Sequence, residues 1–543
     1  MGFLSFLSSL HPRETTLTLP LTNPGEEETA RQLEHMARTF PGLLRKDGGV
    51  LSPLSCRRKD KEFRVTVRPL PRDGVALGLA SVRLTREEIL TAMRVMTAQA
   101  LQLHGKGWVP GSLSPEQYTL VRSRLGWMVY CALLTSSGQP TGHFLQDSPV
   151  SCPQDTGNAA SPEAYRRRCG LAPAEQDASP EAETVFSLGC LFHLMLTGCF
   201  PRGIGRLQGA AAMLENLVPQ PLPLVGGALG LLLRWMLSER AGDRPTLTRV
   251  LACLETPLSG GEAWSALPPL RRDEGSGWLR WREGKQLSVL WTLPAGDLPG
   301  PLQERFGPAV KERLKQLAGL EKKLRDCPGF LPMTLTEQGA NRAAETPLPQ
   351  RPMFPLSDLP ALEKSPFLRD MRLVELAELL LALHRQGLMM GLMPPSSFAL
   401  VQEEEGLGVC VTDRGDVFPQ GSLPPPALIR LTPEALALLS PELHLALCRP
   451  EAFAGYVGPL SDVFSLGLLF HLMLTGELPR TEEQRSAGDS VFYRERTGDA
   501  VHLSDKLDSA HRQLILDMLA LNPRQRPRGC AQVIRRILAI YTA

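Results

Sequence analysis

The sequence predicts an α+β protein built as two successive domains, each with a small strand-containing part followed by a larger helical part. Thr184–Gly198 reads TVFSLGCLFHLMLTG and Asp462–Gly476 reads DVFSLGLLFHLMLTG, identical at 13 of 15 positions and 278 residues apart (467 − 189, at their first glycines). Near-identity of that length at half the chain marks an internal duplication. Around each copy the strand-like and helix-like patterns follow in the same order. With 543 residues, 43% hydrophobic and 21% charged, the chain has the make-up of packed globular domains.

In the first domain Thr15–Leu21 (TTLTLPL) is a short β-like run, and Glu26–Arg38 is a helix with acidic residues in its first turn. Phe40-Pro41-Gly42 stops that helix, and Phe63–Leu70 alternates like a strand. Thr85-Arg-Glu-Glu is a capping box opening a helix to about Gly105. A turn and short strand occupy 107–121. The repeated stretch comes next, apolar almost all round like a helix buried in a domain centre. Its apolar run is shorter than the roughly 20 residues that span a membrane. Helices over 226–238 and 245–255 close the domain.

The second domain repeats the order: a strand at Gln286–Leu293, a helix at Ala309–Arg325, a stop at Cys327-Pro328-Gly329, and a long helix at Met371–Gln386. Residues 341–360, rich in proline, read as an elaborated loop. The domains are placed at 1–258 and 277–543, with 259–276 as a Pro-, Gly- and Ser-containing linker.

Net charge is +2 with both signs interspersed, which offers no basis for binding nucleic acid or acidic lipid. The 11 cysteines stand singly, with no Cys-x-x-Cys, as reduced core thiols of a cytoplasmic protein. MGFLSFLSSL lacks a basic segment before its apolar residues, and Phe6 stands where an N-myristoylation signal wants Ser or Thr. No transmembrane segment is expected.

Leu383–Leu400 (LHRQGLMMGLMPPSSFAL) and Leu103–Leu120 (LHGKGWVPGSLSPEQYTL) each resemble, without a gap, the catalytic loop of the eukaryotic-type Ser/Thr protein kinases. The repeated helix resembles the central helix of that fold. LNPRQRP (521–527) and ERAGDRP (239–245) resemble the Asp-Pro-x-x-Arg-Pro signature near its end. CRPEAF (448–453) and ASPEAY (160–165) resemble the Ala-Pro-Glu that closes its activation segment. The resemblance implies two tandem protein-kinase-like bilobal domains, with upper β-containing lobes reduced and lower lobes α-helical.

Mapped residue by residue, the resemblance puts Ser112 and Leu392 where the catalytic Asp would stand, and Ser114 and Pro394 at the loop lysine. Gln117 and Ser397 replace the metal-binding Asn, and Pro110 and Met390 the bracing His. Leucine cannot accept a proton, and a serine hydroxyl is a far weaker base than a carboxylate. The magnesium-binding Asp survives as Asp413 in Thr412–Gly415 (TDRG), the one residue assigned to metal or cofactor binding; Cys131 takes its place in the first domain. No strand lysine is present: LTLPL has none, and Trp291 stands there in the second domain. The helix carboxylate falls near Arg31 and Ala318, with Glu28, Glu34 and Glu321 within a turn. Structural positions are kept. Asp462 would cap the central helix and tie the loop, with Thr184 as its counterpart, and Glu451–Arg526 and Glu163–Arg244 would be buried ion pairs.

Losses confined to groups that do chemistry or hold ATP imply a catalytically inactive tandem pseudokinase, not an enzyme. It would be a scaffold or allosteric regulator binding a protein partner in signalling, with no cofactor expected. The alternative is an atypical ATP-binding Ser/Thr protein kinase using the second domain, with ATP and magnesium held through Asp413 and Glu403, Glu404, Glu405 or Asp416 as base.

Overall fold

The computed structural model describes residues 15–144, 159–164, 179–201, 227–256, 271–325, 327–412, 417–422, 438–448, 457–481 and 501–541, excepting short runs of one to five residues inside these ranges. The fold is α+β with several small sheets.

The first half runs β1 (Thr15–Pro20), α1 (Pro24–Thr39), β2 (Gly48–Leu51), β3 (Ser55–Lys59), β4 (Glu62–Val67), α2 (Arg86–Gly105), β5 (Tyr118–Ser123), β6 (Gly126–Ala132), α3 (Pro180–Thr197), α4 (Gly227–Met236) and α5 (Leu247–Glu255). The second runs β7 (Arg271–Asp273), β8 (Gly277–Arg282), β9 (Lys285–Pro294), α6 (Gly300–Leu324), β10 (Thr334–Gln338), β11 (Asn341–Pro347), α7 (Pro366–Arg385), β12 (Phe398–Glu403), β13 (Gly406–Val411), α8 (Pro441–Cys448), α9 (Pro459–Thr475), α10 (Ser509–Met518) and α11 (Cys530–Ala539).

Three strands of the first half pair antiparallel in the order β1-β4-β3, and three of the second in the order β9-β11-β10. In both, the strand before the long helix pairs with the second arm of the hairpin that follows it. The second half adds β8 and β7 outside β9, making five strands. This corrects the expectation of a reduced β part there. The β7–β8 hairpin, paired from Arg271↔Leu279 to Asp273↔Gly277, starts inside the expected linker. Its Arg271, Arg272, Arg280 and Arg282 hid it, because strand reading from sequence depends on alternating apolar residues. Asn341–Pro347 is likewise a strand in the middle of the sheet, not a loop, since polar residues such as Asn341 and Glu345 broke the apolar pattern.

Helices follow their local chemistry. Thr85 and Glu88 form the capping box: Glu88 N–H donates to Thr85 Oγ1 at 3.3 Å and Thr85 N–H to Glu88 Oε2 at 2.7 Å. Gly198 and Gly476 end α3 and α9 at φ +77° and +81°, the left-handed conformation glycine adopts without strain. α6 starts nine residues earlier than its sequence pattern suggested, carrying Pro308 inside it, and Phe306, Val310, Leu317, Leu320 and Leu324 line its buried stripe.

The two central helices are buried along nearly their whole length. α3 packs against α2 and α4, and α9 against α7 and α10. No helix among the described residues is long and apolar enough to cross a membrane.

Candidate functional site

Each central helix meets the loop that the sequence singled out, and the contact begins with a carboxylate or a hydroxyl one turn inside the helix. In the second half Asp462 is wholly buried. Its Oδ2 accepts from Met390 N–H at 2.8 Å and its Oδ1 from Gly391 N–H at 3.0 Å. His384 Nε2 lies 2.8 Å from the same Oδ2. The chain turns at Gly391 with φ +70°, so both amides can face one carboxylate. In the first half Thr184 Oγ1 lies 3.0 Å from His104 Nε2 and donates to Pro180 C=O at 3.1 Å.

Neither residue caps its helix, which corrects the role assigned from sequence. Ser179 caps α3, accepting from Ala182 N–H, and Pro180 is its first residue. α9 starts at Pro459, so Asp462 is its fourth residue. Proline fits the first helical position because its missing N–H is not needed there. Asp462 is thereby freed to point across at the loop. His104 and His384 were in the quoted motifs but had no assigned part. Burial holds the His104 imidazole below its ordinary range.

The loop itself is closely packed. Leu392 and Met393 are buried, and Ser397 is buried with its N–H donating to Pro394 C=O and its C=O accepting from Thr412 N–H. In the first half Ser114 Oγ accepts from Glu116 N–H and Ser114 N–H donates to Gln117 Oε1 at 3.1 Å. Ser112 and Asp413 lie outside the described residues, as do Glu405, Arg414 and Asp416. Magnesium takes oxygen ligands. The Leu392 side chain offers magnesium no oxygen, so of the second-half loop positions described only Ser397 carries a side-chain oxygen at a metal-binding place. Glu403 and Glu404 are exposed at the end of β12.

Strand register corrects the position given to Cys131. Tyr118 faces Cys131 in β5–β6, and Phe398 faces Val411 in β12–β13. Both offsets are 280 (398 − 118 and 411 − 131), so Cys131 matches Val411. The place of Asp413 falls to Leu133, which is buried and donates its N–H to Leu51 C=O. Cys131 therefore lies two residues before the matching position. Burial pushes the Cys131 thiol up to about 12.

Below the loop, Arg244 grips Glu163 at 2.9 and 3.1 Å, donates to Ser238 C=O and Ala182 C=O, and stacks over Phe186. Arg526 makes the same set of contacts but with Glu442, at 2.6 and 2.9 Å, donating also to Ala520 C=O and Leu460 C=O and stacking over Phe464. Glu451, which the sequence reading had paired with Arg526, lies outside the described residues. The tripeptide Ser-Pro-Glu was the missed signal. Ser161 Oγ accepts from Ala164 N–H and Ser440 Oγ from Leu443 N–H, so both glutamates sit on the first turn after a serine cap. The spacing to the central helix also agrees, 21 residues from Glu163 to Thr184 and 20 from Glu442 to Asp462. Burial alone would raise the Glu442 carboxyl, but the Arg526 hydrogen bonds and charge outweigh it and hold it low.

The upper helices place their charges differently from the positions mapped on the sequence. Glu28 and Glu34 make surface pairs with Arg31 and Arg38. Glu321 accepts from Met333 N–H at 3.1 Å, and Ala318 offers no polar group. Facing inward from α6 is Arg313, a buried residue that donates to Val417 C=O at 3.0 Å and stacks over Phe418. Its signal was periodicity: position 313 continues the apolar stripe 306, 310, 317, 320, 324. Trp291 stands on β9.

Over 100 residues the chain is 33% identical to Serine/threonine-protein kinase A of Synechocystis sp.; the stretch is 18% of this chain and 19% of that protein. No protein-family model matches the chain. The likeness overturns the expectation that the chain is not an enzyme: the protein it is similar to is named as a Ser/Thr kinase, so the replacements at 392 and 394 do not by themselves rule out catalysis.

Proposed function

We propose that the chain is a tandem protein-kinase-like protein, with bilobal units at 1–258 and 277–543, that works in signalling as a scaffold or allosteric regulator of a protein partner. The observation that carries this reading is the repeated clamp of Arg244–Glu163 and Arg526–Glu442, each tied to the same set of backbone carbonyls beneath a buried central helix. A bidentate arginine–carboxylate pair fixes geometry as well as charge, and two such clamps hold two helical units in the same shape. Expressed separately, 1–258 and 270–543, the latter keeping the β7–β8 hairpin, should each melt in one cooperative transition. Two unfolded fragments would sink the tandem reading. Cross-linking in the native source, followed by reconstitution of the purified pair, tests the partner role, which fails if no purified partner binds.

A second reading, phosphoryl transfer by the second unit, is favoured by the named kinase likeness. It relies on Asp413 to hold magnesium-bound ATP, since the charge developed on the transferred group needs a metal. ATP with magnesium should then raise the melting temperature of 270–543, because a ligand that binds only the folded state stabilises it. Asp413→Ala should abolish both that shift and label transfer from ATP to a protein acceptor. An unchanged shift in the variant removes Asp413 from the reading.

A further inference from the structure

The last two helices of the first half form a seat for α6 of the second. Phe306 of α6 meets Trp235 of α4 edge to face, with ring centroids 6.0 Å apart at 85°. Leu302 is buried beside them, and so is Cys253 of α5. Trp235 is locked by its indole N–H, which donates to Asp243 C=O at 2.8 Å. Arg249–Glu304 at 3.5 Å and Arg305–Asp243 at 3.6 Å flank the aromatic pair.

The same place in the second half is built of charge. With Arg526 matched to Arg244, Trp235 corresponds to Asp517 (235 + 282, as 244 + 282 = 526). With Val533 matched to Val250, Cys253 corresponds to Arg536 (253 + 283, as 250 + 283 = 533). Asp517 and Arg536 pair with each other at 2.7 Å and are each about one third exposed. A solvated ion pair stands where the first half has an indole and a thiol. An apolar seat at this place is therefore specific to the first half.

From that seat a continuous line of contacts leads to the loop. Seven residues, two helical turns, above Phe306, Arg313 holds Val417 and Phe418. Phe418 pairs with Met389, and the next amides, Met390 and Gly391, are held by Asp462. Close-packed interiors transmit displacement rather than absorb it. We infer that the first half acts in cis on the second: by seating the foot of α6 it sets Arg313, and through Arg313 it positions the segment 417–419 beside the candidate site. The inference goes beyond either proposed function and does not depend on which is right.

Hydrogen–deuterium exchange of the full chain tests it, comparing wild type with Trp235→Asp, the residue found at that place in the second half, and with Phe306→Ala. Both variants should speed exchange about tenfold or more at 300–310 and at 417–419, while α3 keeps its protection. If Trp235→Asp also loosens α3, the Phe306→Ala result decides, since its side chain lies outside the first half. Arg313→Met should loosen 417–419 and leave 300–310 unchanged. Faster exchange at 300–310 with 417–419 unaltered overturns the coupling, and unaltered exchange at both overturns the seat.

Discussion

Glu442 and Arg526 form a bidentate ion pair at 2.6 and 2.9 Å across 84 residues, under the central helix of the second half. The arginine side chain is wholly buried and the carboxylate nearly so. Removing one member leaves an uncompensated charge in a dry site, at a cost of about 3–5 kcal/mol. Glu442→Ala should lower the unfolding free energy by that amount in a urea titration, and a loss below about 1 kcal/mol would refute the buried pairing.

Asp462 satisfies two backbone amides and one imidazole, where Thr184 reaches one imidazole. Buried donors stripped of an acceptor cost about 1–3 kcal/mol each. Asp462→Ala should therefore cost about 2–5 kcal/mol and expose the Met390 and Gly391 amides to exchange. Thr184→Ala should cost about 1 kcal/mol. Retained protection at Met390 in Asp462→Ala would show that another group holds the loop.

The matching glycines of the two central helices are both crowded. A Cβ added at Gly467 would sit 2.9 Å from Met518 Cβ, and one added at Gly189 would sit 3.0 Å from Leu237 Cδ2 and 3.1 Å from Met236 Cβ. Alanine gains about 1 kcal/mol of helix propensity over glycine, and overpacking costs about 1–3 kcal/mol. Gly467→Ala and Gly189→Ala should thus each lower stability by up to about 2 kcal/mol. Thermal melts of both variants check this, and a rise in melting temperature for either would refute the crowding there.

His511 bridges Asp508 and Asp370 at 2.6 and 3.0 Å, and Tyr541 Oη donates to Asp370 at 2.7 Å. Burial opposes protonation of the imidazole, but the hydrogen bonds to Asp370 and Asp508 outweigh it and raise His511 above its ordinary value. A histidine raised on folding contributes stability that is complete below its unfolded pKa of about 6.5 and fades as pH climbs through the folded value. The melting temperature of wild type should therefore exceed that of His511→Asn most near pH 5.5, below the unfolded histidine value, and the gap should narrow above pH 7. A gap that widens with pH would refute the protonated bridge.

Much of this was legible in the sequence because it is local. The repeated stretch was readable as a buried helix from its composition. The Thr85 capping box and the glycine ends of α3 and α9 depend on residues within one turn, so reading them needed no partner. The loops that meet the central helices could be found for the same reason, as contiguous strings beside a recognisable helix. Where an element lacked an apolar period, as in β7–β8 and β11, the sequence was silent, since those strands are defined by backbone pairing with neighbours.

Long-range choices were made only by the tertiary structure. Three Pro-Glu pairs, at 433–434, 441–442 and 450–451, lie in the 30 residues before the second central helix, and only the chain path brings Glu442 to Arg526. Cross-strand register moved the counterpart of Asp413 from Cys131 to Leu133. Packing also turned Arg313 inward from an apolar stripe and stood Trp235 against Phe306. Local preference is written into a few adjacent side chains. Pairing across scores of residues depends on how whole elements bury their apolar faces, and that is settled only when they meet.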